Sequence, residues 1–230
     1  MAQANATFII TLAFILMGFL IKKYNFISEK EETLNIISHG FGLVLSVVAF
    51  PFLILKSQEF EGFWKPISFI IYGLSMILLY AASTFYHAAK EPKKRRRLNI
   101  FDHAAIYILI AGSYSPFCLV GLDSKLGWYM FLFVWIFALV GVILKLFFTG
   151  KYDKISTAMY LLMGWQVMVF IKPLMQQLSV ENFQYLVAGG IFYSVGAILY
   201  SIKKIPYNHA IFHVFVLLGS ASHFLAIYNL

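Results

Sequence analysis

The side chains best suited to chemistry in this sequence are its histidines, and five of the six lie near the ends of apolar segments. His209 and His213 are four residues apart, so a helix would place both on one face, about 6 Å apart along its axis. Two imidazoles at this spacing can bind one metal ion. A third nitrogen from His87 would give three histidine ligands around zinc. The fourth coordination position would then be left for water, as in catalytic zinc sites.

Two further polar residues lie at the same depth as these histidines. Asp102 is the only acidic residue inside a predicted apolar span. It could be a fourth ligand, it could accept a proton from water at the site, or it could cap the amino end of its helix. Ser83, one turn before His87, could hold that water or a substrate carbonyl. Spacing alone is also compatible with polar residues tolerated near helix ends, where ionisable groups cost less than at the bilayer centre.

The other histidines have simpler interpretations. His39 is expected to support the site from outside or to pack. His103 points about 100° away from Asp102 on a helix, so we expect it to pack or to form a hydrogen bond. His223, close to Ser220 and Ser222, is expected to form a hydrogen bond between helices.

The elements that position these residues must lie in a membrane. The chain has 230 residues, of which 61% are hydrophobic and 12% charged, whereas soluble domains are roughly 45–50% apolar and about 25% charged. The net charge of +8 is explained by basic loops, and we predict no nucleic-acid partner. Cys118 is the single cysteine, which excludes an intrachain disulfide and disfavours a thiolate metal site.

The hydropathy pattern predicts an all-α, polytopic transmembrane bundle. Spans need about 20 mostly apolar residues, and seven core spans meet this rule: 35–55, 67–87, 102–122, 128–148, 155–175, 183–202 and 209–229. A weaker apolar segment at 7–21 is interpreted as an extra amino-terminal helix or an interfacial segment. We therefore predict an amino-terminal segment with a short linker at 1–30 and a seven-helix core at 31–230.

The positive charges predict which side faces the cytoplasm. Fourteen of the 18 lysines and arginines fall in four segments on one side, 22–32, 90–97, 145–154 and 203–204. Because positive charge resists translocation, this side is predicted to be cytoplasmic. The histidine-rich helix ends lie on the same side, so the candidate site is expected in the inner leaflet. The run at 93–97 is interpreted as a topology signal that also contacts anionic lipid.

Several motifs in order resemble the hemolysin III family, the bacterial branch of the progestin and adipoQ receptor superfamily. The resemblance covers the chain from about Glu31 to its carboxyl end, but not the amino-terminal apolar segment. It is carried by N-x-x-S-H-G at 35–40, S-T-F-Y-H at 83–87, F-D-H-A-A-I-Y-I-L-I-A-G-S-Y-S-P-F at 101–117, M-G-W at 163–165, H-A-I-F-H at 209–213 and G-S-A-S-H-F at 219–224.

This resemblance implies a seven-helix core with zinc in the inner leaflet of a bacterial inner membrane. The metal ligands would be His87, His209 and His213, and Asp102 would act on zinc-bound water beside Ser83. In the wider superfamily the site resembles that of alkaline ceramidases, for which hydrolysis of a lipid amide is the suspected chemistry. The bacterial members are named for haemolysis and are linked to membrane lipid homeostasis.

The leading hypothesis is therefore a zinc-dependent hydrolase of a lipid acyl-amide or ester bond, with membrane lipids as partners and a fatty-acyl substrate. One alternative is a lipid-responsive sensor in which structural zinc holds helices together. Another is a pore-forming cytolysin, which is less favoured because a channel needs polar residues along its whole depth. The sequence carries no signal for an oligomeric state.

Overall fold

A computed structural model describes residues 28–150 and 152–230, and every regular element in these ranges is helical. The α-helices are α1 Glu29–Ser57, α2 Trp64–Ala88, α3 Pro92–Pro116, α4 Lys125–Phe148, α5 Asp153–Gly164, α6 Ile171–Gln177, α7 Val180–Ser201 and α8 Asn208–Tyr228. Helix α3 continues into a π-helix at Phe117–Gly121, and a 3-10 helix at Trp165–Phe170 joins α5 to α6. The predicted all-α class is confirmed.

Within the described ranges, seven helical segments are long and apolar enough to cross a membrane. The fifth of them, Ile155–Gln177, includes α5, the 3-10 helix and α6. The predicted seven-helix core is thus confirmed, and residues Glu31–Leu230 form one compact unit. The predicted segment at 7–21 lies outside the described residues, so the division at residue 30 stays a prediction.

Two helices begin well before their predicted apolar spans. Helix α1 starts at Glu29 rather than at residue 35, and α3 starts at Pro92 rather than at residue 102. Hydropathy marks only the apolar part of a helix, and a helix can extend beyond it. In α3, proline suits the first turn, and the Lys and Arg residues that follow are good helix formers. Asp102 consequently lies ten residues inside α3. The alternative that Asp102 caps its helix is wrong.

The basic side of the bundle, as we call it, is the end formed by the starts of α1, α3 and α8 and the end of α2. Helix α3 is the most buried span, and it packs against both α2 and α4. Small residues such as Ala105, Ala111 and Gly112 line its buried face, which allows close helix approach in a membrane.

A network of hydroxyl groups fixes α8 near the middle of the bundle. Tyr80 of α2 donates a hydrogen bond to the Ser220 hydroxyl at 2.8 Å. The Tyr193 hydroxyl of α7 lies 2.9 Å from the same oxygen. In an apolar surrounding such bonds between helices leave few unsatisfied polar groups. The helix that carries His209 and His213 is therefore held by both of its neighbours.

Helices α3 and α4 approach each other closely where α3 ends. The α-helical pattern of α3 ends at Pro116 and changes into the π-helix, consistent with the hydrogen-bond donor that proline lacks. Gly127, in the first turn of α4, packs on this segment. A Cβ atom at position 127 would lie 2.0 Å from the backbone carbonyl oxygen of Cys118.

We expect Gly127→Ala to destabilise the protein by about 1–3 kcal/mol, because a backbone carbonyl cannot move aside as a side chain could. Thermal unfolding of the detergent-solubilised protein measures this. Gly40→Ala is the matched control, since its new methyl group would meet only Thr84, at 3.8 Å. Equal melting temperatures for the two variants would contradict the predicted close packing.

Candidate metal centre

Three histidines from two helices converge at the basic side. His87 lies in the last turn of α2, while His209 and His213 lie in the first two turns of α8. One ring nitrogen from each of the three lies within 4.8 Å of the others. His87 and His213 are buried, at 3% and 1% exposure. The residues selected from the sequence as metal ligands are thus brought together.

The cluster fits a zinc ion by composition, and its nitrogens, within 4.8 Å of one another, are near the spacing of bound ligands without yet reaching it. Zinc binds imidazole nitrogens at about 2.0–2.1 Å in tetrahedral geometry, which puts ligand nitrogens roughly 3.3 Å apart. Small side-chain movements would bring the three nitrogens to that spacing. The buried Nε2 atom of His87 has no hydrogen-bond partner among the described residues. A buried nitrogen without a partner is costly unless a ligand uses its lone pair.

Hydrogen bonds at the outer nitrogens fix the tautomers of two rings. The Nδ1 atom of His87 lies 2.6 Å from Oε2 of Glu32. That of His213 lies 3.3 Å from the Ser38 hydroxyl, which itself donates to the Asn35 carbonyl oxygen. Each Nδ1 therefore carries the proton and donates it, since the partner atom is available as an acceptor. The Nε2 lone pairs of both rings are left for a metal.

Asp102 and Ser83 lie beside this cluster on α3 and α2. Both line the same cavity as His209 and His213. Asp102 lies next to Ser83, and its Oδ2 atom is 3.8 Å from Nδ1 of His103. The Ser83 hydroxyl, 1% exposed as a residue, makes no hydrogen bond of ordinary geometry within the described part of the chain. It is available to water or to a substrate oxygen.

The remaining histidines make the packing contacts and hydrogen bonds expected of them. His39 stacks on His213, with ring centroids 3.5 Å apart and planes 14° apart. His103 donates from Nδ1 to the Asn99 carbonyl oxygen at 2.8 Å. His223 forms the predicted hydrogen bond between helices, from Nε2 to the Leu186 carbonyl oxygen of α7 at 3.2 Å.

A cavity of about 150 Å³ extends from the histidine cluster into the bundle. Its walls are mainly apolar and aromatic side chains of α2, α3, α5, α7 and α8. His209 and His223, fourteen residues apart on α8, both line it, so it spans about 21 Å along that helix. Its shape suits a long apolar group whose polar end meets Asp102 and the histidines.

Sequence reasoning missed Glu32 and Ser38, which contact the ring nitrogens of the cluster. Glu32 was placed only in the basic segment 22–32, because the first core span was predicted to begin at residue 35. Helical spacing could have identified Glu32 from the sequence. Glu32 lies seven residues before His39, and therefore on the same face of α1. The cavity was missed as well, because apolar lining residues cannot be told from packed core in a sequence.

Fold and site together define a multi-pass helical membrane protein with a three-histidine candidate metal centre inside its bundle. A family model described as "Haemolysin-III related" matches residues 27–224. The chain belongs to that family, and the resemblance noted from its motifs is confirmed.

Relatives from bacteria and mammals match across most of the chain. Hemolysin-3 of Bacillus cereus is 46% identical over 198 residues, covering 86% of this chain and 90% of that protein. The Hemolysin-3 homolog of Bacillus subtilis (strain 168) is equally similar and 93% covered. The human monocyte to macrophage differentiation factor is 29% identical over 205 residues, covering 84% of its length.

We expect about one zinc ion per chain in the purified protein, and strong loss of zinc in His213→Ala, because two imidazoles bind zinc far more weakly than three. Metal analysis after dialysis against buffer measures this. His223→Ala is the control, as it lies ten residues, about 15 Å, further along α8. Zinc retained by His213→Ala, or lost from both variants alike, would count against a site at this cluster.

Proposed function

We propose that this protein is a zinc-dependent hydrolase that cleaves an acyl-amide or acyl-ester bond of a membrane lipid. One observation carries the proposal: the open three-histidine cluster, Asp102 and Ser83 meet at the polar end of a long apolar cavity. Apolar pockets with a few convergent polar groups are the usual form of small-ligand sites. A fatty-acyl chain with a polar end group matches an apolar cavity with one polar end better than a polar solute does.

The acyl chain would lie in the cavity between α3, α7 and α8, with its carbonyl group next to Ser83. When bound, zinc would polarise that carbonyl and acidify a water molecule. The Asp102 carboxylate would accept the proton of the attacking water as the oxygen–carbon bond forms. It would then return the proton to the leaving nitrogen or oxygen as the acyl bond breaks. The Ser83 hydroxyl would donate a hydrogen bond to the carbonyl oxygen while negative charge develops there.

We also propose that the basic side faces the cytoplasm of a bacterial cell. The support is the charge distribution, with fourteen of the 18 lysines and arginines in segments assigned to that side. The candidate centre would then meet lipids of the inner leaflet, and the role of the protein would be in membrane lipid homeostasis.

We expect Asp102→Asn to lower lipid hydrolysis about 10²–10⁴-fold, because the amide cannot accept the proton. The measurement is release of fatty acid from ceramide-like amides and phospholipid esters by the purified protein, with and without a zinc chelator. The zinc content of Asp102→Asn should remain near that of the unmodified protein. Glu91→Gln is the control: Glu91 is exposed on the same side, so this variant should keep full activity. Turnover that is insensitive to the chelator or to Asp102→Asn would refute the mechanism. Bound zinc with no product from any lipid would favour a sensor.

Val216→Phe tests whether the cavity holds the acyl chain. Val216 lines the cavity halfway between His209 and His223 and is 5% exposed. A larger ring there should block long acyl chains and spare short ones, so the ratio of long-chain to short-chain hydrolysis should fall at least several-fold. Leu218→Phe is a matched control, because Leu218 is 43% exposed and does not line the cavity. An unchanged ratio in Val216→Phe would place the chain elsewhere.

A further inference from the structure

We propose that two neighbouring glutamates in the first turn of α1 position the metal ligands: Glu32 orients the ring of His87, and Glu31 fixes the start of α8. The inference rests on the zinc site proposed above and names residues that act on that site without contacting the metal. Glu31 contacts the backbone of one predicted ligand, and Glu32 contacts the side chain of another.

The contact of Glu32 with His87 is short and buried. Oε2 of Glu32 lies 2.6 Å from Nδ1 of His87, and the two side chains are 19% and 0% exposed. The Asn35 amide nitrogen lies 3.4 Å from the same Nδ1. It can only donate, so it cannot accept the ring proton. The carboxylate therefore sets the tautomer, with the proton on Nδ1 and the lone pair on Nε2.

A carboxylate in this place also raises the basicity of the ring as a ligand. Histidines that bind zinc commonly donate their second ring N–H to a carboxylate, and removing such a partner typically lowers metal affinity 10–100-fold. The Nε2 atom of His87 is buried and has no hydrogen-bond partner in the described residues, a status it shares with both ring nitrogens of His39 and with Nδ1 of His223. Glu32 thus directs the free lone pair of His87 into the cluster.

Arg95 holds the carboxylate of Glu32 in place. Its guanidinium binds the other carboxylate oxygen, Oε1. The same group lies 3.3 Å from the Ala89 carbonyl oxygen and 3.4 Å from that of His87, where α2 ends. It also stacks over the Tyr86 ring at 4.7 Å. Arg95 was assigned from the sequence only to the topology signal, but here it joins the α2–α3 connection to Glu32.

Glu31 contacts the other ligand-bearing helix. The residue before α8, Tyr207, has a left-handed backbone with φ of 55° and provides no side-chain cap. Oε1 of Glu31 accepts the backbone N–H of His209 at 3.2 Å. A carboxylate at this helix end satisfies a free donor and interacts favourably with the helix dipole. Consecutive helical residues point about 100° apart, which lets Glu31 reach α8 while Glu32 reaches α2.

The test measures the zinc affinity of the full-length purified protein by competition with a chelator. We expect Glu32→Ala to lower affinity about 10–100-fold. Glu32→Gln should lose less, since its amide oxygen can still accept the Nδ1 proton. Glu31→Ala should also weaken binding, because His209 loses the fixed start of its helix. Glu91→Ala, an exposed acidic residue on the same side, is the control and should leave affinity unchanged.

A purely structural role is distinguished by two further readouts. Positioning predicts that Glu32→Gln keeps the melting temperature of the metal-free protein and alters the visible absorption spectrum of the cobalt-substituted protein. Equal zinc affinity in Glu32→Ala and the unmodified protein would overturn the inference, as would an unaltered cobalt spectrum. If the unmodified protein bound no zinc, the proposed metal centre itself would fail, which is a separate result.

Discussion

The arrangement of this protein depends on keeping several imidazoles and a carboxylate inside a membrane-spanning bundle. Ionisable side chains in a span are costly, and they persist where they pair with one another or with a ligand. Here four histidine rings and Asp102 lie at one end of the cavity, and α1, α2, α3 and α8 each contribute at least one of them. Helix packing follows from this constraint. The small residues of α3 and the hydroxyl groups around Ser220 bring these helices close enough for the polar groups to meet.

The contacts show that the helices contribute different groups to the site. Helices α2 and α8 provide the three clustered nitrogens, and α3 provides the carboxylate. Helix α1 provides none of the candidate ligands, yet Glu32, Ser38 and His39 contact His87 or His213. Helix α1 thus supports the site: its polar face is directed to the candidate ligands, and its other face exposes apolar side chains such as Phe41 and Val44.

Much of the fold was predictable because the membrane makes hydropathy a strong signal. The seven spans and the shared depth of His87, Asp102, His209 and His213 follow from apolar windows and helical spacing. The errors in the prediction also have physical causes. The helical turns after Pro92 are basic, so a hydropathy window does not include them. The predicted start of α3 was therefore wrong, and so was the alternative that Asp102 caps this helix. Glu32 and Arg95 were not recognised as a pair because their contact joins positions 63 residues apart, which no local pattern records.

The hydroxyl network around Ser220 has a consequence for the rotational register of α8. Turning this helix by one residue would move both histidines by about 100° and would break the bonds to Tyr80 and Tyr193. Glu31 fixes the same helix at its start. Because α8 is held at two heights, the backbone positions of His209 and His213 are fixed in advance, and binding an ion would require only their rings to move.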